Sequence, residues 1–205
     1  MSFSDNVFIN CPFDDDYLSI LRPVLFCVID LGLAPRIALE RTDSGQPRVL
    51  KIIDLIRTSK FAIHDLSRLR ASRRGEFYRL NMPFELGLDV GCRVFGTRSL
   101  NAKRCLILEA ERYRYQAAIS DMSNSDIAVH GNDPLRALTE VRNWLSAQRG
   151  TRTRGPAAVW SRFNDFMAAM YVDLTERGYS KDDVARLPVP ELVSKMKSWI
   201  AAHPA

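Results

Sequence analysis

NVFINCPFDDDYLSILRPVLFCVIDLGLAPRIALE, residues 6–40, decides the fold. NVFINC (6–11) is a short run of β-formers stopped by Pro12 and reads as a strand. Behind it Leu18, Leu21, Leu25, Val28 and Ile29 recur every three or four residues, as one face of a helix requires. Asp14, Asp15 and Asp16 suit the positive end of that helix dipole. Pro23 is expected either to kink the helix or to mark the true start of its second half. PRIALE (35–40) reads as a second strand, so the stretch is a β-α-β unit.

The alternation continues outward. A turn at TDSGQP leads to a helix over VLKIIDLIRTS and a third strand, KFAIHDLS (60–67). NMPFELGLDVG (81–91) opens a third helix with Asn81 as its cap, RCLILEA (104–110) is a fourth strand, and DIAVH a fifth. DPLRALTEVRNWLSAQ closes the unit as an amphipathic helix capped by Asp133. Strands alternating with helices predict an α/β domain built on a mostly parallel five-stranded sheet, covered on both faces, over residues 1–148. RGTRTRGP reads as a solvated basic linker (149–155), and 156–205 as a helical C-terminal extension that packs on the core or mediates self-association.

Composition narrows the class. Residues 1–17 lack a basic segment followed by a long apolar run, so a cytoplasmic protein without a signal peptide is expected. No apolar run of about 18 residues is present to span a bilayer. Cys11, Cys27, Cys92 and Cys105 are far apart, with no C-x-x-C pair, and read as small buried hydrophobes rather than metal ligands. A net charge of +5 is concentrated in Arg68, Arg70, Arg73, Arg74 and Arg79. Such a patch meets phosphates, and a nucleotide is expected there rather than a nucleic acid.

Ligands of open parallel sheets bind beyond the carboxyl ends of the strands. Asn10, Pro12, Phe13, Asp14, Asp65, Asn81 and Glu85 fall there, which makes the expected site rich in carboxylates. G-x-x-x-x-G-K-[ST], G-x-G-x-x-G and G-x-S-x-G are all absent from the sequence, which removes the main supports for kinase, dehydrogenase and serine-hydrolase readings. A carboxylate suits reactions that develop positive charge on a sugar. Glu85 sits in an apolar helix start where burial should tune its pKa. Arg48, Lys51, Arg68 and Arg79 are candidates to hold phosphate oxygens, Asn10 to contact a ribose hydroxyl, and Tyr113 and Tyr115 to stack on a base.

VFINCPF with its acidic loop, FAIHDLS and NMPFELGLDVG together resemble the nucleoside 2-deoxyribosyltransferase-like superfamily and its TIR-domain relatives, over roughly the first 145 residues. The resemblance implies a flavodoxin-like sheet and cleavage of an N-glycosidic bond of a nucleoside, a nucleotide or, foremost, NAD, with no separate cofactor. It maps the catalytic glutamate onto Glu85, a sugar-orienting aspartate onto Asp65, and the loop that covers the substrate onto Pro12, Phe13 and Asp14. It also implies a role in bacterial defence or signalling and a homo-oligomer formed through the C-terminal helices. The run Asp14–Asp16 has no counterpart in the family's first loop, so cleavage is expected before transfer to a second base. The alternatives are a nucleotide-sensing module of the same fold without catalysis, a deoxyribosyltransferase, and a purely structural interaction domain.

Overall fold

A computed structural model describes residues 2–40, 43–68, 80–117, 119–122, 125–150 and 153–204. Arg70, Arg73, Arg74, Arg79 and Arg152 lie outside the described residues. Five strands, β1 (Asn6–Asn10), β2 (Ala34–Ile37), β3 (Phe61–Asp65), β4 (Arg104–Glu109) and β5 (Ile127–Val129), form one sheet in the order β2-β1-β3-β4-β5. Every pairing is parallel, with Val7 opposite Phe61 and Phe61 opposite Arg104. This is the flavodoxin-like order, whose reversal point lies between β1 and β3.

The helices are α1 (Leu18–Asp30), α2 (Arg48–Arg57), α3 (Asn81–Phe95), α4 (Pro134–Arg149), α5 (Pro156–Glu176), α6 (Lys181–Ala185) and α7 (Val189–Ala202). α2 and α3 pack together on one face of the sheet; α1 and α4 cover the other. α1 starts at Leu18, so Pro23 lies inside it and opens no second helix. α1 is apolar nearly all round, with Ile20, Leu21, Val24, Leu25, Phe26 and Val28 buried. A helix of that kind needs cover on more than its sheet side.

The C-terminal helices supply that cover. The Phe26 ring meets Phe163 at 5.7 Å, Phe166 at 5.6 Å and Trp199 at 5.9 Å between centroids. The apolar stripe of the extension therefore belongs to the same core as the sheet. Arg22 reaches from α1 to the last carbonyls of α6, donating to Ala185 O at 2.6 Å. The expected solvated basic linker is corrected for two of its arginines. Arg154 and Arg162 both pair with the buried Asp30, each at about 3 Å, and Arg149 donates to Leu31 O at 2.6 Å. A carboxylate with almost no solvent contact recruits its counter-ions from the chain, and the linker supplies one.

Candidate active site

The crevice at the reversal point begins where β1 ends. Cys11 and Pro12 are buried, and Phe13 is half-buried against the core on both faces of the sheet. Asp14 caps the short 3-10 turn Asp15–Tyr17, accepting from Tyr17 N at 3.0 Å, and pairs with Arg68 at 3.2 Å. That capping aims Tyr17 across the crevice, where its hydroxyl donates to Asp65 Oδ2 at 2.5 Å.

Asp65 ends β3 fully buried and is saturated with donors. Ser67 N donates to Oδ1 at 2.8 Å, and His130 Nε2 lies 3.0 Å from Oδ2. His130 Nδ1 accepts the Asn132 N–H at 3.1 Å, so Nε2 carries the ring proton and donates. Ser67 Oγ approaches that same Nε2 at 3.0 Å. Serine and aspartate thus share one ring nitrogen, which is not the arrangement of a nucleophilic triad. Burial works against the Asp65 charge, but the bonds from His130, Ser67 N and Tyr17 outweigh it and hold the carboxyl below its ordinary value.

α3 carries two carboxylates on its buried face beside its apolar residues. Met82, Glu85, Leu86 and Asp89 face inward, while Phe84 is 57% exposed. Two carboxylates on the inner face of one helix require partners, and Asp89 has them. His64 Nε2 lies 3.3 Å from Oδ2 and Lys103 Nζ 2.9 Å from Oδ1. Lys103 is itself buried and also donates to Ile56 O at 2.7 Å and Ser59 O at 2.5 Å, so its ammonium sits between two carbonyls and the Asp89 carboxylate. Burial opposes the Asp89 charge, yet His64 and Lys103 leave its carboxyl below the ordinary value. Asn10 completes the clamp, directing its amide hydrogens to Met82 O at 2.8 Å and His64 Nδ1 at 3.0 Å. Both are committed within the protein, which makes Asn10 a fastener of α3.

Glu85, one turn before Asp89, has no such company. Its side chain is 7% exposed, and its ion partner is Arg48 Nη2 at 3.9 Å. Burial pushes its carboxyl up to about 7, with Arg48 pulling weakly the other way. The three carboxylates of Glu85, Asp65 and Asp14 bear on one atom, the Cys11 thiol, which burial and then their charges push well above its usual value. Arg48, at the start of α2, is the ion partner of Glu85, and Arg68 is that of Asp14.

Asn81 is corrected as a cap. It is the first helical residue of α3, the cap position belongs to Leu80, and a cap needs extended backbone that Leu80 lacks. Asn81 is exposed at the helix start. Tyr115 is corrected as a stacking group: it is buried and its hydroxyl donates to Ser125 O at 2.9 Å. Tyr113 remains exposed. Sequence reasoning missed Tyr17, His130, Lys103 and the buried pair Glu109–Arg114, in which Arg114 also donates to Ser67 O at 2.6 Å. The strand-end rule carried the signal for His130 and Glu109, since both close apolar runs.

Among the described residues no group of three or more histidine, cysteine, aspartate or glutamate side chains is placed to hold a metal, and no helix is long and apolar enough to cross a membrane. No protein-family model matches the chain, and no curated protein matches it. The fold is a doubly wound α/β architecture whose strand order reverses between β1 and β3, with the buried Asp65 at the end of β3.

Proposed function

We propose that this chain hydrolyses the N-glycosidic bond of a nucleotide, NAD foremost, with Glu85 as its catalytic carboxylate. The feature that carries the reading is the burial of Glu85 with Arg48 at 3.9 Å as its ion partner: burial pushes its carboxyl up to about 7, whereas Asp65 and Asp89 are held below the ordinary value. A cationic leaving group such as a nicotinamide ring favours the Glu85 anion, which then faces the positive charge that develops at the ribose C1. The C1–N bond breaks with its electron pair leaving on the base. Water adds its oxygen to C1 and gives a proton to Glu85, so the products are the free base and a ribosyl phosphate ester. Asp65 holds Tyr17 and His130 around the sugar. Arg48, 55% exposed, is free to turn from Glu85 to a phosphate oxygen.

The test is release of free base from NAD and from a deoxynucleoside, followed by chromatography. Wild-type turnover that disappears in folded Glu85→Gln supports the reading. No turnover by wild type, or undiminished turnover by Glu85→Gln, overturns it; tight binding with intact recovery of the nucleotide would then identify a sensor.

A further inference from the structure

In a parallel sheet every strand starts at one end, and the connecting helices run back to finish there. α2 therefore ends at Arg57 and α3 at Phe95 beside the starts of β3 and β4, Phe61 and Arg104, which are paired in register. At this end, opposite the proposed site, apolar side chains stand in water. Val94 is 59% exposed and Phe95 89%, the latter more than any other large apolar side chain among the described residues. The apolar groove between α2 and α3, walled by Ile53, Leu88 and Leu100, continues the patch behind Phe95. Single exposed apolar residues are ordinary, but a contiguous patch marks a surface with a partner.

The surroundings of the patch are basic. Arg57 lines the groove, Arg93 and Arg98 precede and follow the apolar pair, Arg104 starts β4, and all four are exposed. None of them makes an ion pair among the described residues. Arg104 donates to a carbonyl, Lys103 O at 2.9 Å, which leaves its charge uncompensated. Residues 90–108 contain no aspartate or glutamate, and the acids that bracket them, Asp89 and Glu109, are buried and already paired. Asp54, one turn before Arg57, is half-buried, and Asp5 is engaged by Ser2 and Ser4.

We propose that this end of the molecule docks on an anionic phospholipid surface, with Val94 and Phe95 entering the headgroup layer and Arg57, Arg93, Arg98 and Arg104 meeting lipid phosphates. The charge is complementary, and each arginine near such a surface raises partitioning about fivefold. A nucleic acid would also take the guanidinium groups, but Val94 has no ring to stack on a base and would stay in water. A folded protein partner would need a surface cut to the projecting pair, whereas a fluid bilayer needs no matching shape. The carboxyl ends of the strands then face away from the lipid and stay open to solutes. The inference stands apart from the glycosidase reading.

Flotation of the full chain with vesicles tests it, using phosphatidylcholine alone and phosphatidylcholine mixed with phosphatidylglycerol, each at low and high salt. The expected result is binding to the anionic vesicles only, weakened by salt. Arg98→Gln and Phe95→Ser should each lower the partition coefficient about fivefold. Leu80→Ser removes an exposed apolar side chain at the other end of α3 and should change nothing. Circular dichroism identical to wild type confirms that each variant is folded. Absence of binding to anionic vesicles overturns the proposal, as does equal binding to neutral ones. So does a loss in Leu80→Ser as large as that in Phe95→Ser. Equal binding of wild type and Phe95→Ser overturns it too, and so does tighter binding to single-stranded RNA than to the vesicles, which would identify a nucleic-acid surface.

Discussion

Glu85→Gln should stabilise the protein at alkaline pH while abolishing its proposed activity. A rise of the Glu85 carboxyl from 4.5 to about 7 corresponds to about 3 kcal/mol, at about 1.4 kcal/mol per unit. The side chain is only 7% exposed, so solvent screening removes little of this. Below the unfolded value near 4.5 both states hold the proton, and the stability of the neutral side chain is fully present. Between that value and about 7 the unfolded chain ionises while the folded one keeps its proton, so stability falls as pH rises. Above about 7 the folded state must also ionise, and the loss is complete. Glutamine cannot ionise. Urea denaturation of both proteins should therefore give a difference near zero at low pH that grows to about 3 kcal/mol above pH 7, or about 6–12 °C in Tm for a chain of this size. Subtracting the two proteins cancels the titration of other groups. A difference that stays flat with pH, or a variant less stable at alkaline pH, would refute the assignment of a neutral buried Glu85.

Lys103→Met should destabilise the fold by about 3–5 kcal/mol, since it leaves Asp89 charged and buried; a Lys103→Met/Asp89→Leu double variant should regain most of that in a denaturant cycle. Tyr17→Phe removes a donor from Asp65 worth about 1.5–3 kcal/mol. The depressed Asp65 carboxyl contributes stability above its unfolded value that is lost as pH falls. Acid titration of Tyr17→Phe, followed by circular dichroism, should therefore show unfolding at a higher pH than wild type. Asp30→Asn should weaken the hold on Arg154 and Arg162, and limited proteolysis should cut between residues 149 and 156 faster than in wild type.

Periodicity carried the fold because helix and strand periods differ and the turns between them are marked. KFAIHDLS and RCLILEA needed only an apolar run and a boundary, and both sit in the sheet within a residue or two of the reading. Strand order β2-β1-β3-β4-β5 was not in the pattern, because periodicity does not say which strands are neighbours. Asp65 at the end of β3 and Glu85 near the start of α3 were placed correctly in their elements because strand ends and helix starts are local features. Lys103 was not, since a lysine between Ala102 and Arg104 looks like surface until α2 places the carbonyls of Ile56 and Ser59 around it. Arg149 and Arg154 failed for the same reason: their acceptors, Leu31 O and Asp30, are more than a hundred positions away. Asn81 failed because capping depends on the backbone of the residue before the helix, which sequence does not display.

Burial alone does not explain why Glu85 stands out. Asp65 and Asp89 are at least as deeply placed, and both are held below the ordinary carboxylate value. The difference is the supply of donors. Asp65 draws on a tyrosine, a histidine and a backbone amide, and Asp89 on a histidine and an ammonium; Glu85 has a guanidinium at 3.9 Å that solvent also claims. The clamp through Asn10, His64, Asp89 and Lys103 fixes α3 against the sheet and α2, so Glu85 cannot leave the crevice for water without breaking buried ion pairs. Two satisfied carboxylates thus hold a third in a place where it is uncomfortable as an anion. A ligand that brings positive charge to Glu85 and an anion to Arg48 relieves both groups at once, and a neutral ligand relieves neither. The proposed preference for a cationic, phosphate-bearing substrate rests on that electrostatic imbalance.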